Sequence, residues 1–241
     1  MYYISGDYIV LDIKMEYAYS QQPAESSSFT MTKVFGWMFL AILITAAVSI
    51  GLPYGLLAIG AGDAYYGILI AGLIAVIILS FVGSFVIAKT KSKPLAITVF
   101  CLFAAAMGIW VSPLVVIYDL PTLGLSLLVT AGVFGLMALY GAITKRDLSK
   151  FGSFLMMLLL GVIFISIINI FIANSTLDWI LSYVTLAIYI GFIAFDVQRV
   201  KNITQTNQGT TNIALLMALN LYIDFVYVFI RIVNLIGNSK K

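Results

Sequence analysis

The chain has 241 residues, of which 62% are hydrophobic and 10% charged, and its net charge is only +3. An ordinary soluble domain carries roughly 25% charged residues, so this stock cannot build a water-facing surface, and lipid must be the solvent for much of it. Histidine is absent, which excludes Ser-His-Asp and rhomboid-type hydrolases because their serine would have no imidazole to take its proton. No clustered basic face points to nucleic acid, and the single Cys101 reads as a small buried hydrophobe that can form no intrachain disulfide.

Residues 1–33 are polar and acid-leaning, with no apolar core near Met1, so they are expected to form a tail, and the first span an uncleaved signal anchor. Seven apolar stretches then follow, each near the roughly 20 residues that cross a bilayer. They run Val34–Gly51, Ala64–Ala88, Pro94–Ile117, Leu123–Ile143, Ser153–Ala173, Trp179–Asp196 and Ile213–Ile236. None shows the alternating polarity of a membrane barrel strand. The expected fold is therefore an all-α membrane protein, a seven-transmembrane-helix domain over 34–237 with a short tail at 238–241.

The punctuation between spans is readable. Leu52-Pro53-Tyr54-Gly55 is expected to end the first span, Lys93-Pro94 opens the third, and Asp119-Leu120-Pro121 and Asn174-Ser175-Thr176 close later ones. Small residues four apart, Gly67/Ala71, Ala104/Gly108 and Ala131/Gly135, are expected at close helix contacts. Tyr118, Trp110 and Trp179 near span ends read as interfacial belt residues, and Asn169 as a polar link between helices.

Positive charge sets the expected orientation. Lys89, Lys91 and Lys93 fill the second connection, Lys145, Arg146 and Lys150 the fourth, and Arg199 and Lys201 the sixth. The odd connections carry only Asp63, Asp119 and Asp178. The positive-inside rule then places the even connections and the N-terminus in the cytoplasm. Lys240 and Lys241 are the dissonant note, because seven crossings leave them outside.

Ionisable residues inside a span are costly and mark function by default. Asp196 is expected at the cytoplasmic end of the sixth span. Asp224 lies near the middle of the seventh, about 17 Å of helix from either end. Asn220, Asp224, Tyr227, Arg231, Asn234 and Asn238 recur at spacings of three and four, which places them on one helical face. The sixth span repeats the stripe with Ser182, Thr185, Tyr189, Asp196 and Arg199. Lipid offers such stripes no hydrogen bonds, so the two are expected to face each other. The blander readings are that Asp196 is solvated or paired with Arg199, that Asp224 anchors helix packing, and that Arg231 snorkels to an interface. If the aspartates meet, one proton is shared and the pair titrates as a unit. Protonated, the pair latches two helices. Deprotonated, it repels, or accepts a cation, with Asn220, Tyr227 and water as further oxygens in a weak calcium set.

The runs Gly191-Phe192-Ile193-Ala194-Phe195-Asp196-Val197-Gln198 and Ala218-Leu219-Asn220-Leu221-Tyr222-Ile223-Asp224-Phe225, followed by Arg231 to Gly237, resemble the Bax inhibitor-1 family in its bacterial branch. The resemblance implies six helices around a central seventh and a pH-dependent calcium leak. It also implies a paired-aspartate sensor at Asp196 and Asp224, supported by Asn220, Tyr227, Arg231, Tyr189 and Arg199. The family's tyrosine before the first aspartate is Phe195 here, and the arginine that some members carry in the second span is missing from Ala64–Ala88. No enzyme activity and no cofactor are expected. The lipid bilayer, protons and calcium as cargo are the expected partners, in the bacterial cytoplasmic membrane. The competing classes are an intramembrane aspartyl protease, whose glycines before the second aspartate are replaced here by Leu221-Tyr222-Ile223, and a non-transporting regulator that works through the tail.

Overall fold

The computed structural model describes residues 31–205 and 210–238. They form seven helices, each long and apolar enough to cross a membrane: α1 (Met31–Ala58), α2 (Gly62–Lys89), α3 (Lys93–Ile117), α4 (Leu120–Ile143), α5 (Ser149–Ile172), α6 (Ser175–Gln205) and α7 (Thr211–Asn238). The expected tail therefore overlaps the described residues only at Met31–Lys33, which belong to α1. Residues 1–30, residues 206–209 of the sixth connection, and Lys240 and Lys241 lie outside the described residues.

Two spans differ in their bounds from the sequence reading, each for a physical reason. The Leu52–Gly55 run does not end α1, because Pro53 sits buried within the helix. A proline lacks only its own N–H, and a membrane helix keeps winding where neighbours cover the freed carbonyl. Pro113 in α3 shows how this is done. It releases the Ile109 carbonyl, and the Ser112 hydroxyl donates to that carbonyl at 2.7 Å. The second difference is α6, which begins at Ser175 and runs to Gln205. Asp178 thus lies in its first turn rather than in a loop, and Asp196 lies about 13 Å inside the helix end, at 1.5 Å per residue. Apolar periodicity marks the hydrocarbon-spanning part of a helix and misses polar turns that continue it.

α7 is the hub. It packs against α1, the C-terminal turns of α2, α3, α4 and α6, while α5 lies chiefly on α6. Leu215, Leu219, Leu221, Tyr222, Val228 and Val233 along α7 are essentially sealed. α2 is irregular, with a π-helical turn at Leu79–Gly83, where Ser80 donates to the Val76 carbonyl and Ser84 to the Ser80 carbonyl, both at 2.7 Å. Such hydroxyls take up carbonyls that a widened turn leaves loose.

Close approaches occur at only one of the three small-residue pairs expected. Ala104 and Gly108 do pack on α1: Thr45 donates to the Ala104 carbonyl at 2.9 Å, and a Cβ on Gly108 would lie 2.9 Å from the Thr45 carbonyl. Gly67, Ala71, Ala131 and Gly135 face outward instead. The tight contacts fall at Gly72 against Ile109, Gly152 against the Phe195 ring, and Gly141 against the Ala194 backbone. A four-residue spacing cannot tell which face of an all-apolar helix is turned inward.

Candidate functional site

α6 and α7 run antiparallel, and their polar stripes meet in three successive rungs. In the first, the Asp196 and Asp224 carboxyl groups lie within hydrogen-bonding reach of each other. Both are buried, at 7% and 5% exposure. In the second, the Tyr189 and Tyr227 rings stack face to face, 4.8 Å apart and 3° from parallel. In the third, Arg231 donates to the Ser182 hydroxyl at 3.2 Å. Each rung pairs residues that the spacing had put on separate faces of separate helices.

Among the described residues no ion pair joins either carboxyl, but Arg199, exposed one turn along α6, lines the same cavity and acts electrostatically on Asp196. Asp224 Oδ2 is enclosed and meets no fixed hydrogen-bond donor among the described residues. Two carboxyl groups can bond only if one of them carries a proton. Two bare carboxylates at this depth would repel each other with no donor to offset the cost.

A cavity of about 230 Å³ opens beside the pair, bounded by Met156 and Leu159 of α5, Tyr189 and Phe192 of α6, and Asn220 and Ile223 of α7, with both aspartates in its wall. Asn220 thus shares the cavity, while Tyr227 is engaged with the Tyr189 ring. Among the described residues no three His, Cys, Asp or Glu side chains gather as a metal cluster. A resident calcium ion needs six to eight oxygens, and the two carboxyl groups with Asn220 offer fewer.

At the other end of the seam, Arg231 is half-buried and bonded inward to α6, rather than reaching along its own helix to an interface. Asn169 ties α5 to α6: its amide donates to Asp178 Oδ1 at 2.5 Å, and its oxygen accepts from the Asn174 N–H at 3.2 Å. Tyr118 donates to Asn234 at 3.2 Å and its ring covers Gly237, so it is built into the bundle. Trp179 is exposed and stacks on Tyr183.

Two positioning residues were not singled out by composition or spacing. Gln198, two residues beyond Asp196, is buried, accepts from the Leu148 N–H at 2.8 Å and donates to the Arg146 carbonyl at 2.7 Å. It fastens the α4–α5 connection to α6. Tyr222, two residues before Asp224, is sealed in the core and shares a 2.5 Å hydrogen bond with Thr45 of α1. The one available signal for both was a polar group on an otherwise apolar helix beside a candidate aspartate.

Fold and seam together define a seven-helix membrane protein with a buried pair of carboxyl groups held between its last two helices. The family model described as "Inhibitor of apoptosis-promoting Bax1" matches residues 28–241, and the chain belongs to that Bax inhibitor-1 family. Among its relatives, it is 31% identical over 231 residues to inner membrane protein YbhL of Escherichia coli K12, covering 91% of this chain and 95% of that one. It is 34% identical over 177 residues to an uncharacterized membrane protein of Streptococcus pyogenes serotype M3, covering 73% and 75%. An uncharacterized protein of Rickettsia prowazekii is 29% identical over 217 residues, covering 87% and 89%.

Proposed function

We propose that this protein is a proton-gated cation leak, with calcium as the ion and the Asp196–Asp224 pair as the gate. The observation that carries the reading is two buried carboxyl groups in mutual hydrogen-bonding reach on neighbouring helices, with the exposed Arg199 at the edge of their shared cavity. While they share a proton they latch α6 to α7. Removing it places two negative charges in contact in a low-dielectric site, which pushes the helices apart and leaves a double-negative wall to a passing cation. Flux is then low in acid and rises as the shared proton leaves. The alternation of Lys and Arg between even and odd connections supports an N-terminus in the cytoplasm. The printed name of the Escherichia coli relative supports a bacterial inner-membrane location. Transport is favoured over peptide hydrolysis because the glycines that precede the second aspartate of intramembrane aspartyl proteases are replaced here by Leu221-Tyr222-Ile223.

The test is calcium uptake by vesicles reconstituted with the purified chain, measured over a pH series. Wild type should show a single pH transition, and Asp196→Asn and Asp224→Asn should each abolish it. A wild-type protein that passes no calcium, or variants that keep the pH dependence, would end the proposal. Cleavage of membrane peptides lost with the same variants would favour the protease. A cellular phenotype lost on deleting residues 1–30 while flux stays intact would favour a regulator.

A further inference from the structure

The polar seam continues past the carboxyl pair, and its arrangement has a consequence for the route of passage. On one side of the Tyr189–Tyr227 stack lies the 230 Å³ cavity with Asp196, Asp224 and Asn220. On the other lies a second cavity of about 220 Å³, lined by Ser175, Asp178, Trp179, Ser182, Asn234 and Leu235. Both belong to the same α6–α7 seam. Along α6 the order is Ser182, Tyr189, Asp196, and along α7 it is Asn234, Arg231, Tyr227, Asp224. The two rings therefore fall between the two cavities on both helices.

We propose that the stacked rings of Tyr189 and Tyr227 are the constriction of a single aqueous path along the α6–α7 seam, separating an inner vestibule at the carboxyl pair from an outer vestibule at Asp178, Ser182 and Asn234. This deepens the leak reading and rests on it for the identity of the cargo. The physical case has three parts. Polar groups at membrane depth are tolerated where they face protein or a water-filled cavity; Asp196, Asp224 and Asn220 face the first cavity among apolar neighbours, and Asp178, Ser182 and Asn234 face the second near the start of α6. Two parallel rings 4.8 Å apart leave no gap for water between their faces. Directly beyond the rings, Arg231 is held on Ser182, so a cation leaving the inner vestibule meets a fixed positive charge once the rings part, with Asp178 of the outer vestibule as the nearest carboxylate on α6. The barrier is thus steric first and electrostatic second, and it is distinct from the latch.

The test uses the full-length chain with its lone Cys101 replaced by alanine and a single cysteine at Asn220 or Asn234. A membrane-impermeant cationic methanethiosulfonate is applied from one face at a time, to right-side-out and inverted vesicles. Asn220→Cys should react from one face only and Asn234→Cys from the opposite face only. Adding Tyr227→Ala should open Asn220→Cys to the second face, raising that rate by up to about tenfold, the worth of an aromatic pair. Tyr227→Phe, which keeps the stack, should leave the block intact. Tyr189→Ala should repeat the effect of Tyr227→Ala from the other helix, and monodisperse elution confirms that each variant is folded. Both cysteines reacting from the same face, neither reacting from any face, or unchanged rates in both alanine variants would overturn the constriction. Calcium uptake by the same vesicles separates the two ideas: labelling as expected without calcium flux refutes calcium as cargo and keeps the path.

Discussion

Gln198 offers a sharp test of how the loop and the aspartate helix are joined. Its side-chain amide makes two hydrogen bonds to backbone groups of the α4–α5 connection, at 2.8 Å from Leu148 N and 2.7 Å to Arg146 O. Gln198→Ala removes both and leaves the Leu148 N–H without its acceptor beside a buried side chain. Each lost bond costs about 1 kcal/mol, and a stranded buried donor adds to that, so the clamp weakens by about 2–3 kcal/mol. That is a factor of about 30 to 150 in the opening equilibrium of the loop. Gln198→Glu is the instructive intermediate: its oxygen still accepts from Leu148, but as a carboxylate it cannot donate to Arg146, so about half the effect is expected. The loop holds Lys145 and Arg146, with Lys150 in the first turn of α5, so limited trypsin digestion in detergent reads its opening directly, provided opening is fast relative to cleavage. The order wild type, Glu, Ala in rising cleavage rate is expected. Equal rates for all three would show that the loop is held by something other than this side chain.

Three further outcomes follow from the packing. Gly141→Ala drives a methyl group into the Ala194 backbone. Overpacking costs about 1–3 kcal/mol, against about 1 kcal/mol gained in helix propensity, so a lower melting temperature is expected. Because Ala194 is two residues from Asp196, the pH transition of flux should shift as well. Tyr222→Phe should cost about 1 kcal/mol in thermal stability, because Thr45 keeps its second bond to the Ala104 carbonyl; a loss several times larger would mean that the hydroxyl does more than join α1 to α7. Asp147 accepts from the Ser149 N–H at 2.9 Å, and those hydrogen bonds, chiefly with Ser149, hold its carboxyl below the usual carboxylate range. A depressed folded-state pKa contributes stability present above the ordinary value, which is lost as pH falls through the folded one. The stability difference between wild type and Asp147→Asn should therefore be largest near neutral pH, begin to fall near about pH 4 and be lost only as pH drops through the lower folded-state value. A difference that persists in stronger acid would refute the role of these hydrogen bonds.

Seven crossings, their helical nature and the special status of Asp224 were all legible in the amino-acid order. They depend on quantities that accumulate along a chain: apolar run length, absence of alternation, and polar residues recurring at three and four. The meeting of the two stripes also followed from local chemistry, because hydrogen-bonding groups at membrane depth have nowhere else to turn. What the order alone left undecided was everything requiring one helix to know where another lies. Pro53 is a turn residue until a packed neighbour lets the helix continue, and Gly67/Ala71 matches Ala104/Gly108 as a pattern although only the second pair faces a partner. Asp196 looked like the end of a span because polarity resumes after it, whereas α6 runs on and buries it against α7. Gln198 and Tyr222 acquire their roles only from Leu148, Arg146 and Thr45, which are 50, 52 and 177 residues away in the chain. Local pattern tells which groups need a partner, but tertiary packing alone supplies it, because hydrogen bonds and close contacts act over a few ångströms, whatever the separation in sequence.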